Sequence, residues 1–345
     1  VKAAILEALD KIALKEVAVP EVDQESILVR VKACSVCGSD IRIFHHGNPR
    51  VKPPVVIGHE VAGEIVKTGK NVKNFKTGDK IALGADVPCG ECDFCKNGLG
   101  NNCAVNYAIG YQFPGGFSEY MLLNETTVKY GPVNKIPDGV SFEEASLAEP
   151  LACCINATER SPVELGDTVL IIGAGPAGIM LLQLAKILGA SKVIISQRSK
   201  HRLEQAKKFN PDVAIEGTGE ILIQQVLKAT NGAGPDVIFT ACPSNEAQQD
   251  AVRLVKQRGR VNFFGGLAKG KSEITVDSNL IHYKECNISG SHGSVPRQHK
   301  LALELIAAKK INVKGLISHR FKLVEIEKAF QAAEQHNGMK VIVEC

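Results

Sequence analysis

The sequence predicts an α/β protein with a β-rich first domain and a second domain built on a doubly wound parallel sheet. Three observations carry that prediction. Short β-like runs, punctuated by Gly, Pro and Asn, fill residues 1–128. From Leu151 onward, apolar runs of four or five residues alternate with helical patterns, the texture of parallel strands joined by crossover helices. One strand-to-helix junction in that stretch carries G-x-G-x-x-G. A length of 345 residues accommodates two domains of ~150 residues each.

The elements follow in order. Residues 27–31, 61–66 and 80–83 read as strands of the first domain. In the second, 169–172 is a buried strand, 176–188 a helix with an apolar face, 193–195 the next strand and 200–209 the next helix. Residues 237–240 and 261–264 continue the series. Near Lys284 the alternation ends. Beyond it, 298–308 and 324–335 read as helices and 340–344 as a closing strand.

Composition excludes several classes. With 44% hydrophobic and 23% charged residues the chain has the makeup of a folded globular protein rather than a disordered one. The net charge of +4 is spread without any basic block, so nucleic acid is not an expected partner. No apolar run approaches the ~20 residues that span a bilayer, so no membrane is expected either. The best candidate, 169–188, is broken by Gly173, Gly175, Pro176 and Gly178 and carries Gln183 and Lys186. The N-terminal stretch lacks a signal-peptide pattern, and a cytoplasmic location is expected. Eleven cysteines, an odd number without an export signal, argue against a disulfide framework.

The Gly-rich turn is Gly173-Ala174-Gly175-Pro176-Ala177-Gly178. Gly173 permits the tight turn, Gly175 lets a pyrophosphate approach the backbone, and Gly178 lets the helix pack on the strand. The helix N-terminus at Pro176 and Ala177 offers free N–H groups and a partial positive charge to phosphate. A turn that binds nothing is the plainer alternative, and the strand-to-helix context argues against it. At the end of the second strand an acid would accept from the adenosine ribose and repel a 2′-phosphate. Gln197 stands there instead, 19 positions after Gly178. Arg198 can stack on adenine or pair with phosphate, with Ser199 and Arg202 as further donors. A solvated helix start also uses Arg and Ser, but the missing acid is the sharper clue. NADP(H) is expected over NAD(H).

Cys89, Cys92, Cys95 and Cys103 form C-x2-C-x2-C-x7-C on a Gly-containing loop. Four thiolates at this spacing suit a closed tetrahedral zinc site that crosslinks a lobe with little core of its own. An iron–sulfur cluster also takes four thiolates; the rest of the chain favours zinc. A second set is scattered: Cys37 in Cys37-Gly38-Ser39-Asp40, His59-Glu60 after Gly58, and Glu149 before Pro150. Spacing alone does not unite these residues.

A family pattern does. Gly58-His59-Glu60-x2-Gly63-x5-Gly69-x2-Val72, Cys37-Gly38-Ser39-Asp40, the four-cysteine lobe, Gly115-Gly116-Phe117-Ser118-Glu119-Tyr120, Glu149-Pro150-Leu151 and the Gly-rich turn occur in one order over nearly the whole chain. In these motifs the sequence resembles the zinc-containing medium-chain dehydrogenases of the alcohol dehydrogenase superfamily, in particular the branch of sorbitol-type polyol dehydrogenases and threonine dehydrogenases.

The resemblance implies a GroES-like catalytic domain over 1–150, with a structural zinc lobe at 89–103. It implies a Rossmann coenzyme domain over 151–285 and a segment, 286–345, that returns to the first domain. It implies two zinc ions per chain and a homo-oligomer, dimer or tetramer. Cys37 and His59 would hold the catalytic zinc, with Glu60 or Glu149 completing the ligands. Asp40 would accept from the His59 imidazole, and Ser39 would pass on the substrate proton. Zinc acts as a Lewis acid on the alcohol oxygen and the coenzyme takes the hydride.

Two departures bear on substrate. Where many members have a His five positions after the Cys ligand, this chain has Arg42, which cannot act as a base. His45 and His46 follow, either as a substitute relay or as a surface turn before Gly47-Asn48-Pro49. Ser291-His292-Gly293-Ser294 stands where sorbitol dehydrogenases carry an Arg-Tyr pair. The expected substrate is therefore a polyol, sugar alcohol or related secondary alcohol, with threonine as the runner-up. Arg42, Arg50 and Lys52 suit either a phosphorylated or carboxylated sugar alcohol or a solvated loop. Tyr111 and residues near Ser291 are candidate pocket residues. A coenzyme-binding protein without activity is a third possibility, opposed by the retention of Cys37, His59 and the carboxylates. The remaining cysteines, Cys34, Cys153, Cys154, Cys242, Cys286 and Cys345, read mostly as small buried hydrophobes.

Overall fold

The strand Ile27–Val36 organises the first unit, because seven of its ten residues are both apolar and buried. A strand apolar on both faces must be covered on both. It pairs antiparallel with Glu60–Thr68, Tyr120–Leu123 and Lys340–Glu344. The sheet runs Val133–Lys135, Lys80–Leu83, Glu60–Thr68, Ile27–Val36, Lys340–Glu344, Ile317–Lys322 in spatial order. A smaller sheet joins Lys11–Glu16, Lys2–Ala8 and Val55–Val56. Phe117, Ile57, Ile65 and Met121 fill the core that these strands enclose.

The computed structural model describes residues 1–268, 270–335 and 338–345. The chain divides into two units, Val1–Ala152 with Gly293–Cys345, and Cys153–His292. The last 53 residues thus belong to the first unit, where Lys340–Glu344 supplies an inner strand.

The second unit is a parallel sheet in the order Val213–Glu216, Lys192–Gln197, Thr168–Ile172, Val237–Thr240, Arg260–Phe263, Asn287–Gly290. Numbered along the chain, that is 3-2-1-4-5-6, the dinucleotide-binding order of the Rossmann fold. Val169, Leu170 and Ile171 are sealed from solvent, as expected of a strand covered by helices on both sides.

The sheet continues past Lys284, where the sequence reading ended the alternation. Asn287–Gly290 extends it in parallel with Arg260–Phe263. This outer strand has a neighbour on one side only and holds Asn287 and Ser289 in place of large apolar residues, so its pattern is weak. No described helix is long and apolar enough to cross a membrane.

Candidate active site and metal centres

Strand register builds the first cluster. Ser35 pairs with Glu60 and Cys34 with Val61, so the antiparallel ladder brings Cys37 and His59 to one end of the sheet. Cys37 caps the helix Gly38–His46, and its backbone N–H donates to Asp40 Oδ2 at 2.9 Å. Gly58, at φ +95, turns the chain into His59. A Cβ there would meet Cys34 Sγ and the Phe117 ring at 2.8 Å, so no side chain fits.

One donor atom each from Cys37, His59 and Glu60 lies within 4.8 Å of the others. Ser39 Oγ donates to Cys37 Sγ at 3.2 Å and lies 3.3 Å from His59 Nε2. Asp40 Oδ1 is 3.2 Å from His59 Nδ1, close enough for an ion pair although not directed as a hydrogen bond. Burial opposes charge on His59, yet the Asp40 carboxylate and Cys37 outweigh it and hold the imidazole well above its usual range.

Glu149, on the helix Ala148–Arg160, lies outside this donor set. It is buried, and burial followed by the nearby Glu60 and Asp86 carboxylates raises its pKa, against the pull of His59. Glu60 is fully buried and meets Lys340, whose Nζ donates to both carboxylate oxygens. Lys340 is 4% exposed, and Glu60 and Cys37 hold it charged against burial. Reading the sequence missed this lysine. Its one signal was a cation opening the apolar run Val341-Ile342-Val343.

These donors fit zinc. The set combines sulfur, nitrogen and oxygen. The second nitrogen of His59 faces a carboxylate, which is how ligating imidazoles are oriented. Asp40, Glu60 and Glu149 bring three carboxyl groups into one buried region, and a dication suits such a set.

The second cluster is the lobe at Cys89, Cys92, Cys95 and Cys103, whose sulfurs all lie within 4.8 Å of one another. Cys92 and Cys95 are 3.4 Å apart, Cys89 and Cys95 3.9 Å, Cys92 and Cys103 4.0 Å. Zinc–sulfur bonds of ~2.3 Å give tetrahedral edges of ~3.8 Å, close to this spread. Cys92 caps the short helix Asp93–Lys96, which points Cys92 and Cys95 toward one centre. All four thiols are free of disulfides.

The third site is in the second unit. The strand Thr168–Ile172 runs into Gly173, and Gly175 caps the helix Pro176–Ile187 with Pro176 at its first position. A Cβ on Gly178 would sit 1.9 Å from the Gly173 carbonyl oxygen, so this strand–helix packing tolerates only glycine. Gln197 Oε1 accepts from the Ala174 N–H at 3.0 Å, which places the neutral amide of Gln197 against the turn. Arg202 is half-buried, and a Cβ on Gly175 would be 3.6 Å from its Nη1. Arg198 and Ser199 are exposed, and Ser199 caps the helix Lys200–Lys207.

Residues 23–135 match the family model "Alcohol dehydrogenase GroES-like domain", and residues 176–308 match "Zinc-binding dehydrogenase". The chain is 33% identical to the D-arabitol-phosphate dehydrogenase of Enterococcus avium, over 97% of this chain and 94% of that one. It is 31% identical to the sorbitol dehydrogenase of Bombyx mori, over 99% and 97%. It belongs to the zinc-containing medium-chain dehydrogenases. A zinc-binding dehydrogenase from Sinorhizobium meliloti bound to NADP shares the fold of this dehydrogenase at a TM-score of 0.92, with 30% identity over 100% of this chain and 99% of that one.

Within this medium-chain dehydrogenase, the fold separates the basic residues near Cys37. Arg42 is exposed. His45 lies in the last turn of the helix Gly38–His46 and is held between Glu334 and Asp10, and these two carboxylates raise its pKa. Tyr111 does approach the cluster, with its ring 5.9 Å from the His59 imidazole. Ser291 donates to Asn262 in the second unit.

Proposed function

We propose that this dehydrogenase oxidises polyols, sugar alcohols or related secondary alcohols, and reduces the corresponding ketones, with NADP(H) preferred over NAD(H). The observation that carries the reading is Ser39 set between Cys37 Sγ and His59 Nε2, beside an Asp40-oriented imidazole. The relatives named for D-arabitol phosphate and sorbitol support the polyol class.

When bound, zinc supplies Lewis acidity toward the substrate oxygen, and the nicotinamide supplies the hydride acceptor. Cys37 and His59 would hold the metal with Glu60, and Glu149 is the carboxylate in reserve. Ser39 Oγ relays a proton: it accepts the hydroxyl hydrogen of the alcohol as it passes its own on to solvent, and the order reverses in reduction. Asp40 keeps the His59 ring turned toward Cys37. Lys340 fixes the Glu60 carboxylate in place, since both of its oxygens accept from the ammonium. Cys89, Cys92, Cys95 and Cys103 would hold the second zinc. Metal analysis is expected to find about two zinc ions per chain, and one firmly held ion in a competent enzyme would remove one site.

Coenzyme preference rests on the turn. Gln197 gives no negative charge, and Arg198 and Arg202 are cations beside it, so a 2′-phosphate meets attraction without repulsion. Replacing Gln197 by Asp and Arg198 by Leu is expected to shift preference toward NAD by about tenfold or more, a modest share of what charge-assisted bonds contribute. Unchanged selectivity would mean that other residues choose the coenzyme.

A dimer or tetramer follows from the family resemblance. Eleven cysteines without a disulfide fit a reducing compartment such as the cytoplasm. The experiment that tests the function is an initial-rate screen with free and phosphorylated sugar alcohols, L-threonine and simple secondary alcohols, each with NADP and NAD. A polyol signal with NADP is expected. Activity confined to threonine or simple alcohols would discard the substrate class.

A further inference from the structure

Resting on the reading as a polyol dehydrogenase, we infer that the substrate is a phosphorylated sugar alcohol and that Arg50 selects it by binding the phosphate. Between Asp40 and Glu60 the chain holds Arg42, Arg50 and Lys52 and no carboxylate. Arg42 and Lys52 are exposed, whereas Arg50 is part-buried. Its guanidinium lies over the Tyr111 ring, 4.9 Å from the centroid. That ring is 5.9 Å from the His59 imidazole, and the Tyr111 hydroxyl faces Ser39. One aromatic ring therefore separates the cation from the group that handles the substrate proton.

The guanidinium is held but not neutralised. Its Nη2 donates to the Asn106 carbonyl at 2.5 Å and to Gln112 Oε1 at 3.4 Å. Its Nε is buried without a hydrogen bond, and Nη1 makes none among the described residues. Among the described residues no carboxylate pairs with Arg50. An arginine stays charged at every accessible pH, and a buried donor left unmatched favours any ligand oxygen that can accept from it. A planar fork fixed by stacking and by a loop carbonyl is pre-organised for a phosphate oxygen. A dianion also suits a segment with three cations and no acid better than a carboxylate does. The phosphate end of a short sugar alcohol would reach Nη1 while its reacting carbon lies at Ser39.

Two measurements decide this. Steady-state rates of the loaded enzyme are taken with a pentitol phosphate, the matching free pentitol and the matching aldonate. Binding of the pentitol phosphate is followed by calorimetry. Both are run on wild type, Arg50→Gln and Arg50→Lys. Wild type is expected to favour the phosphate by about tenfold or more in kcat/KM, mainly through KM. Arg50→Gln should erase that preference and weaken phosphate binding by about 10–100-fold, the size of a lost charge-assisted pair. Arg50→Lys keeps the charge without the fork and should recover part of both. If the Gln variant unfolds, the wild-type preference and the Lys variant still decide. Equal turnover of the free pentitol, preference for the aldonate, or binding unaffected in both variants would overturn the inference and leave the polyol reading standing. Turnover of simple alcohols alone would overturn both.

Discussion

Cys37→Ser is expected to lower kcat by about 10³-fold or more while the fold survives. Loss of a partner that only orients a ligand already costs about 10–100-fold, and loss of a ligand removes the metal's hold on the substrate oxygen itself. The fold survives because Cys37 stabilises its helix through the backbone, whose N–H donates to Asp40 Oδ2 at 2.9 Å. A serine keeps that N–H. The side chain of Cys37 accepts from Ser39 Oγ and faces the donors of the cluster. Two readings are made together: turnover in the screen above, and zinc per chain by elemental analysis. The zinc content should fall by about one ion, with the ion at the four-cysteine lobe remaining. Retained turnover would remove Cys37 from the ligand set. Lost turnover with both ions still bound would make Cys37 a contact of substrate rather than of metal.

Lys340→Met is expected to destabilise the first unit by about 3–5 kcal/mol, the usual consequence of removing one partner from a buried ion pair. Glu60 is fully buried and Lys340 is 4% exposed, so neither group has water to fall back on. Methionine matches the lysine stem in length and brings no charge, which leaves the Glu60 carboxylate to be protonated or exposed. Denaturant unfolding of metal-depleted protein isolates the pair from any ligand effect. The double variant Lys340→Met with Glu60→Gln should regain most of the loss, because it removes the stranded charge. A single variant within about 1 kcal/mol of wild type would show that Glu60 is balanced by some other group.

The pair also shows why part of the candidate site was hidden in the sequence. Residues 60 and 340 are 280 positions apart, and nothing local marks a lysine at the head of a short strand as the partner of a buried glutamate. Only the insertion of Lys340–Glu344 beside Ile27–Val36 brings them together. The same applies to Arg50 and Tyr111, which meet because the loop carrying Asn106 and Gln112 folds back on the arginine. His45 illustrates the reverse. Its sequence position invited a role in proton transfer, and the fold ties it to Asp10 and Glu334 instead. Two strands also escaped notice. Val213–Glu216 and Asn287–Gly290 are the outer strands of their sheet; the first offers only the three apolar residues Val213-Ala214-Ile215, and the second only Ile288, too little to mark a strand by pattern.

What the sequence determined by itself is local or tightly spaced. The four cysteines of the lobe lie within fifteen residues, so their convergence needs only one loop. The Gly-rich turn needs only a strand, a turn and a helix in succession, and Gly178 is required by a contact with Gly173 five residues away. The central strands of the parallel sheet are legible because burial on both faces demands continuous apolar runs. Tertiary structure decided the rest. It placed Glu60 rather than Glu149 within 4.8 Å of the Cys37 and His59 donors, set Lys340 against that carboxylate, and left Arg50 with no acidic partner among the described residues. Those outcomes depend on which distant strands pair and in what register, and register is fixed by burial summed over a whole sheet rather than by any one residue.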